Sequence, residues 1–261
     1  MIYLKQFTET ANVGDAIGSA IVSSVLDCEI QIIGEAPVSE PNLIAIGSIA
    51  HWCDHYSVLW GCGFINGDMR SLRPHSVLAV RGKHTRDMLW REGIPCPETL
   101  GDPGLLAPYL FAPAATKAHE LGIVPHYVDL QSPFVGRCRR EGIVVIDPMG
   151  PIDAYIAKLT GCRRIISSSL HGIVIAHAYG IPAAWITISD HVHGNGFKFR
   201  DYFSSLSIGS SNIKTLRAAD EKIATMSLAC FDPGLNGLPD RDALRSALLA
   251  YGPELEDRAA A

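Results

Sequence analysis

Short runs rich in Ile and Val alternate with longer amphipathic segments over nearly the whole chain. Most runs are four to six residues long and are bounded by Gly, Pro or Asp. Runs this uniformly apolar are typical of parallel strands buried on both faces, and the longer segments between them are typical of crossover helices. The pattern therefore predicts an α/β protein with mainly parallel sheets. The predicted strands are Ile2–Phe7, Glu29–Ile33, Leu43–Ile46, Ser57–Trp60, Val77–Val80, Ile123–Val124, Ile143–Ile146, Arg164–Ser167 and Ala184–Thr187, and the predicted helices are Asp15–Leu26, Thr85–Gly93, Ile152–Leu159, Leu170–Tyr179 and Pro239–Tyr251.

The strands fall into two series separated by Ala112–Glu120, a segment of small residues with a proline and little periodicity. A chain of 261 residues is long for one ordinary domain and suits two small ones. We therefore predict an N-terminal α/β domain over residues 1–112 and a C-terminal one over 113–238. Residues 239–261 are predicted to form a C-terminal helix and tail.

Composition and charge exclude several classes of protein. A chain that is 48% hydrophobic can bury a core, and a formal charge of −5 argues against a broadly basic binder, so no nucleic-acid partner is expected. The seven cysteines include no C-x-x-C pair, which disfavours both a disulfide framework and a zinc ribbon. The first residues do not read as a signal peptide, and the longest apolar run, Gly172 to Ile188, is interrupted by Pro182. A cytoplasmic protein is the expectation.

The common sequence motifs for nucleotide binding and metal binding are incomplete in this chain. The segment Gly61–Gly67 begins like G-x-G-x-x-G but has Asn66 in place of the third glycine, and the segment ending at Gly82-Lys83 lacks the first glycine of a P-loop. Alternate residues His191 and His193, beside Asp190, offer metal ligands without a third ligand cluster. We therefore predict no metal site.

The most informative segment runs from a buried strand through three serines into an apolar helix. Ser169 is a natural N-cap, which places His171 and Gly172 in the first turn. That turn carries unpaired backbone N–H groups and the positive end of the helix dipole, so it can bind a phosphate or carboxylate, with Ser168 and Ser169 adding hydroxyl donors. The imidazole of His171 can supply a proton or a charged hydrogen bond. The alternative is an ordinary helix cap with an incidental histidine.

The same segment, Ser168-Ser169-Leu170-His171-Gly172, resembles the hallmark of the polysaccharide pyruvyl transferase family, and five other pieces match that family in sequence order. They are Asn12-Val13-Gly14-Asp15, Leu59-Trp60-Gly61-Cys62-Gly63-Phe64, Val80-Arg81-Gly82 with Thr85, Leu100-Gly101-Asp102-Pro103, and Gly196-Phe197-Lys198-Phe199-Arg200-Asp201-Tyr202. The resemblance covers roughly residues 10 to 206 and is closest to bacterial exopolysaccharide ketal-pyruvate transferases.

The resemblance implies two Rossmann-like domains facing a cleft, the GT-B-like architecture. It also implies that phosphoenolpyruvate donates pyruvate to two hydroxyls of one sugar residue, forming a ketal and releasing phosphate, with no cofactor. The roles it implies are catalytic for His171, Arg81 and Asp15. Substrate contacts are implied for Asn12, Gly14, Gly61, Gly63, Asp102, Ser168, Ser169, Leu170, Gly172, Lys198 and Arg200. The N-terminal domain is expected on the acceptor side and the C-terminal domain on the donor side.

One position departs from some relatives, which carry Arg where this chain has Ser169. A cation for the donor must then come from Arg81, Lys198 or Arg200. Arg81 follows a buried strand, at the edge of an α/β sheet where ligands bind, and is the preferred candidate. For Lys198 and Arg200 the alternative of solvated surface charges stays open. For Asp15 the alternative is a simple helix cap.

The segment from Gly196 to Phe203 allows two interpretations. Alternation favours aromatic side chains packed inside with Lys198 and Arg200 facing the donor. The alternative is peripheral contact with the inner membrane, since the resemblance implies an acceptor oligosaccharide on a lipid diphosphate carrier at that surface. Two other functions also stay open: a nucleotide-sugar glycosyltransferase of the same architecture and a glycan-binding protein without catalysis.

Overall fold

A computed structural model describes residues 1–36, 38–67, 73–114, 116–207, 215–218 and 237–260. Within these residues ten strands form two five-stranded parallel sheets, with helices between the strands. The predicted fold class, an α/β protein of two Rossmann-like halves with parallel sheets, is confirmed. Residue 115 of the predicted linker and Cys230 lie outside the described residues.

The first sheet has the strand order β2-β1-β3-β4-β5. Leu4 in the central part of this sheet lies opposite Ile32 on one side and Leu43 on the other. Its elements are β1 (Ile2–Lys5), α1 (Val13–Leu26), β2 (Ile30–Ile33), β3 (Asn42–Ile44), a 3-10 turn (Ala50–Trp52), β4 (Ser57–Trp60), β5 (Ser76–Ala79) and α2 (Lys83–Arg91). A 3-10 helix, Pro103–Tyr109, follows.

The second sheet has the order β10-β9-β8-β6-β7, again all parallel. Its elements are β6 (His119–Val124), a 3-10 turn (Tyr127–Asp129), α3 (Pro133–Arg140), β7 (Val144–Val145), α4 (Ile152–Thr160), β8 (Cys162–Ser167), α5 (Leu170–Ala178), β9 (Ala183–Thr187), α6 (Phe197–Ser205) and β10 (Thr215–Arg217). The last helix is α7 (Arg241–Ala260).

Several helices pack between the two halves or return across them, and α5 and α7 are two of these. Helix α5 is buried on nearly all sides, and it packs against the 3-10 helix Pro103–Tyr109 and against α1 of the first half. Helix α7 returns to the first sheet, where the indole Nε1 of Trp60 donates to the carbonyl oxygen of Leu244 at 2.9 Å. The C-terminal helix therefore packs as part of the N-terminal half.

Each predicted strand overlaps an observed one, but α3, α6 and β10 were not predicted. The segment Phe197–Ser205 is a helix, so the strand-like alternation assumed for it is wrong. Successive residues on a helix are about 100° apart, so Lys198 and Arg200 point in nearly opposite directions. Lys198 is buried, whereas Arg200 is exposed. Among the described residues, no helix is both long and apolar enough to cross a lipid bilayer.

Candidate active site

A cavity of about 580 Å³ lies where the carboxyl ends of the two sheets face each other. The lining residues that come from the first half follow strands β1 to β4, and those from the second half follow β6 to β9. Phe7, Glu35, Gly47 and Ile65 line the first side, and His126, Pro148, Ser169 and His193 line the second. Ligands of parallel α/β sheets bind at these strand ends, so the topology identifies this cavity as the candidate site.

The start of α1 forms part of the first wall. Asn12 caps the helix by accepting from the backbone N–H of Asp15 at 3.1 Å, and its amide donates to the Asp15 carboxylate at 2.6 Å. Burial raises the pKa of Asp15 to about 6, while the Asn12 hydrogen bond and the charge of Lys198 oppose the shift. Asn12, Gly14 and Asp15 all line the cavity. The cap belongs to Asn12 rather than to Asp15, which leaves the carboxylate facing the site.

Two predicted motifs meet at Gly14 and His171. A Cβ on Gly14 would overlap the imidazole of His171, so the glycine makes room for the histidine. His171 lies in the first turn of α5 with its side chain 13% exposed, and it lines the cavity with Leu170. The absence of a side chain at Gly14 is therefore a packing requirement of the site.

The imidazole of His171 is held neutral and backed by a carboxylate. Burial lowers the pKa of His171 to about 3, and the positive charges of Lys198 and Arg81 add to this effect. Its Nε2 lies 3.9 Å from Oδ2 of Asp102, which is fully buried. Burial also raises the pKa of Asp102 to about 6. Asp102 lies behind His171 and does not line the cavity.

The three serines before α5 have different partners. The hydroxyl oxygen of Ser167 lies 2.8 Å from the carbonyl oxygen of Val124 and 2.7 Å from that of Ser169, so its single proton is shared between these two acceptors. The hydroxyl of Ser168 donates to the Asp129 carboxylate at 2.7 Å. Ser169 is the N-cap residue of α5 by position, but its side chain makes no capping hydrogen bond, and it lines the cavity. Of the two predicted hydroxyl donors, Ser169 lines the cavity and Ser168 does not.

Lys198 brings a cation to the second wall. Its side chain is 8% exposed and lines the cavity, and the described residues provide no hydrogen-bond or ion-pair partner for its ammonium. Burial lowers the pKa of Lys198 to about 8, with the charge of Arg81 adding to this effect and Asp15 and Asp129 opposing it. The ammonium is therefore mostly charged at neutral pH and available to an anion.

Arg81 is placed differently. Its guanidinium is fully buried, does not line the cavity, and pairs with the Asp201 carboxylate of α6, with Nε to Oδ2 at 2.9 Å. Further donations go to Ser48 Oγ at 2.7 Å, to the Phe64 carbonyl at 2.7 Å and to the Gly47 carbonyl at 3.4 Å. Asp201 also accepts from the backbone and the hydroxyl of Thr85. This network ties α6 to the first half of the chain.

The remaining predicted residues lie outside the cavity wall. Gly61 has a φ of +77°, and a Cβ there would meet the ring of Pro103. A Cβ on Gly63 would meet the guanidinium of Arg81, and one on Gly172 would overlap Ser167 Oγ. Arg200 is exposed on the far side of α6. The structure therefore brings together Asn12, Gly14, Asp15, Ser169, Leu170, His171 and Lys198, and not Arg81, Gly61, Gly63, Asp102, Ser168, Gly172 or Arg200.

Sequence reasoning missed several lining residues. His126 and Tyr127 follow β6, Trp52 follows β3 in the 3-10 turn, and Glu9 and Glu35 follow β1 and β2. Burial lowers the pKa of His126 to about 3, with Lys198 adding to the effect. Their position just beyond predicted strand ends was the available signal. Within the described residues, no group of three His, Cys, Asp or Glu side chains is arranged to hold a metal ion.

Comparison with known proteins identifies the family. A family model described as polysaccharide pyruvyl transferase matches residues 57–191, more than half of the 261-residue chain. The chain belongs to the polysaccharide pyruvyl transferase family. Family membership supports a transferase activity of one general kind, the transfer of a pyruvyl group to a polysaccharide.

Two relatives are informative. The chain is 28% identical over 229 residues to an uncharacterized protein, L143, of Acanthamoeba polyphaga mimivirus, covering 82% of this chain and 77% of that protein. It is 29% identical over 96 residues to the succinoglycan biosynthesis protein ExoV of Rhizobium meliloti (strain 1021), covering 35% of this chain and 29% of that protein.

Proposed function

We propose that this family member transfers pyruvate from phosphoenolpyruvate to two hydroxyls of one sugar residue in an exopolysaccharide repeat unit. The products are a cyclic pyruvate ketal and phosphate. The observation that carries the proposal is the second wall of the cavity. There the ammonium of Lys198, which has no hydrogen-bond or ion-pair partner among the described residues, lies with the N-terminus of α5, Ser169 and His171. That combination suits a small ligand bearing a phosphate and a carboxylate.

The electrostatics support a donor on this wall. Phosphoenolpyruvate carries about three negative charges near neutral pH, and a buried cation with helix-terminal N–H groups compensates them at low desolvation cost. A bound trianion also opposes the positive charges that depress the pKa of His171. Donor binding therefore prepares His171 to hold a proton that it does not hold in the empty cavity.

The opposite wall supports a sugar acceptor. The cavity of about 580 Å³ is larger than a three-carbon donor fills, and Trp52 of this wall and Tyr127 of the second half offer aromatic side chains in the remainder. The carboxylates of Glu9 and Glu35 line the same region and can accept hydrogen bonds from sugar hydroxyls. The acceptor is proposed to be an oligosaccharide on a lipid diphosphate carrier at the cytoplasmic face of the inner membrane.

The proposed chemistry balances without a cofactor. The first acceptor hydroxyl bonds to C2 of the donor through its oxygen, and its proton passes to His171 and then to the methylene carbon, which becomes a methyl group. The second hydroxyl bonds to the same C2 as the C2–O bond to phosphate breaks. Its proton leaves with the phosphate as hydrogen phosphate. His171 is the catalytic residue of this scheme because it lies in the first turn of α5 beside Ser169, where the donor is proposed to bind, and its neutral form can receive the first proton.

Phosphate release from phosphoenolpyruvate with oligosaccharides from an unpyruvylated exopolysaccharide tests the proposal. The product should gain one pyruvate less one water by mass spectrometry. His171→Gln should lower kcat roughly 10²- to 10⁴-fold, the usual worth of a positioned acid or base. Lys158→Met, on the exposed face of α4, is the matched control. If UDP or GDP sugars raise the Tm and phosphoenolpyruvate does not, the chain is a glycosyltransferase and the proposal is wrong.

A further inference from the structure

Two buried polar atoms without partners face each other behind the cavity. Among the described residues, neither Nε2 of His171 nor Oδ2 of Asp102 has a hydrogen-bond partner, and 3.9 Å separates the two atoms. A buried donor or acceptor left unpaired is costly, so such a facing pair needs an explanation. The separation is slightly too long for a hydrogen bond and short enough to close by a small shift of either side chain.

Both residues are held by elements that pack together. Asp102 is the N-cap of the 3-10 helix Pro103–Tyr109, and its Oδ1 accepts from the backbone N–H of Gly104 at 2.9 Å. His171 lies in the first turn of α5, which packs on that 3-10 helix. Gly104 contacts the α5 residue Val174 closely, since a Cβ on Gly104 would lie 3.0 Å from it. The carboxylate thus has one oxygen fixed and the other aimed at the imidazole.

We propose that Asp102 is a positioning residue that fixes the tautomer of His171, keeping the proton on Nε2 and presenting an unprotonated Nδ1 to the cavity. The Nε2 atom is fully buried against the carboxylate, whereas Nδ1 is not among the fully buried unpaired atoms. Nδ1 lies beside Gly14, and both residues line the cavity, so Nδ1 is the ring nitrogen on the cavity side. An imidazole has one donor nitrogen and one acceptor nitrogen when neutral, and the partner of one decides the role of the other.

This inference rests on the proposed function for its catalytic consequence. Nδ1 receives the proton of the first acceptor hydroxyl, and the resulting imidazolium, charged through both nitrogens, is stabilised by Asp102. The groups facing His171 from neighbouring elements are Lys198, Arg81 and His126, all of which disfavour the imidazolium. The carboxylate of Asp102 and the anionic donor are the groups that favour it.

Asp102→Asn separates this role from a structural one. The side-chain oxygen of Asn can still accept from Gly104, which leaves the amide N–H₂ facing Nε2. That donor makes Nε2 an acceptor and moves the imidazole proton to Nδ1. We expect ¹⁵N NMR of the substrate-free protein to show Nε2–H in the native chain and Nδ1–H in Asp102→Asn. With phosphoenolpyruvate and acceptor, kcat should fall roughly 10²- to 10⁴-fold, as in other Asp–His pairs, with a donor KM changed less than about threefold.

Two controls keep the test decisive. In the His171→Gln background, Asp102→Asn should lower kcat less than about threefold further, because it acts through His171. The native ¹⁵N spectrum alone decides the matter if the variant does not fold, since Nδ1–H in the native chain overturns the inference. An unchanged tautomer in a folded Asp102→Asn also overturns it. Absence of phosphate release instead contradicts the proposed function and leaves the tautomer result standing.

Discussion

Arg81 and Lys198 are two buried cations on opposite sides of the interface between the halves, and they have opposite surroundings. The guanidinium of Arg81 pairs with Asp201 and donates to Ser48 and Phe64. Among the described residues the ammonium of Lys198 has no hydrogen-bond or ion-pair partner, and it lies 5.8 Å from the centre of the Phe199 ring. A buried charge without a protein partner is expensive unless a ligand supplies one. The difference indicates that Arg81 holds α6 against the first half, and it supports the proposal that Lys198 binds the anionic donor.

The two cations are also linked through one helix. Asp201, the partner of Arg81, lies one turn after Lys198 on α6. Thr85 adds two hydrogen bonds to the same carboxylate, with the hydroxyl at 2.7 Å and the backbone N–H at 2.8 Å. This network fixes α6 against the first half. The ion pair of Arg81 therefore helps to set the position of Lys198, which lies on the same helix.

The largest effect should come from breaking the paired cation. Arg81→Met leaves the Asp201 carboxylate buried without its ion-pair partner, so we expect the free energy of unfolding to fall by about 3–5 kcal/mol. Urea unfolding measures the change. Arg163→Met, which removes an ion pair with the 74%-exposed Glu120, should cost less than about 1 kcal/mol.

A different result for Arg81→Met would reverse the comparison. If the variant keeps native stability and loses donor affinity, Arg81 binds the donor directly, as the family resemblance implies. In that case Asp201→Asn should leave donor binding unchanged. The network seen in the structure instead predicts that Asp201→Asn destabilises the fold, as Arg81→Met does.

The next effect should come from the unpaired cation. Lys198→Met removes a charge-assisted contact to the donor, so we expect the donor KM to rise roughly 10- to 150-fold, the range for hydrogen bonds to charged groups. The free energy of unfolding should stay level or rise, because the desolvated ammonium is gone. Steady-state rates measure the donor KM, and urea unfolding measures the stability. A loss of stability without a change in donor affinity would make Lys198 a structural residue.

The comparison also shows what the sequence could predict. Runs of Ile and Val revealed the strands because strands buried on both faces leave no other pattern. Helix α6 was missed because Phe197-Lys198-Phe199-Arg200 alternates like a strand, while its helical geometry buries Lys198 and Phe199 together. Phe199 is 1% exposed and stacks on Trp185 with ring centres 4.5 Å apart, so that ring is not available to a membrane surface.

The site was predictable where one segment carries it and not where two distant segments meet. His171 and Ser169 follow directly from a strand, a cap and an apolar helix. The partners that decide the roles of Arg81, Asp102 and Ser168 come from other elements, and local sequence does not encode those pairings. A motif therefore pointed to residues that line the cavity, but it did not separate those that line it from those that lie behind it.

The smallest effect concerns His177, a second histidine on α5. It extends the comparison to a buried titratable group that does not line the cavity. His177 is fully buried away from the cavity, with Nδ1 3.0 Å from the hydroxyl of Tyr202, and burial lowers its pKa to about 4. Between pH 6.5 and 4 the unfolded chain binds a proton there that the folded chain does not. Stability is therefore fully present above pH 6.5 and is lost as the pH falls.

His177→Gln should remove that loss because glutamine does not titrate. We expect the native chain to lose about 1–2 kcal/mol more than the variant between pH 7 and pH 5, since one pKa unit corresponds to about 1.4 kcal/mol. Urea unfolding at the two pH values measures this change. Each protein is compared with itself, so a destabilisation that the substitution causes at both pH values cancels. Equal acid sensitivity in the two proteins would mean that His177 is protonated inside the fold. A cation in the core needs a partner, so the imidazolium of His177 would then need a hydrogen-bond or ion-pair partner in addition to Tyr202.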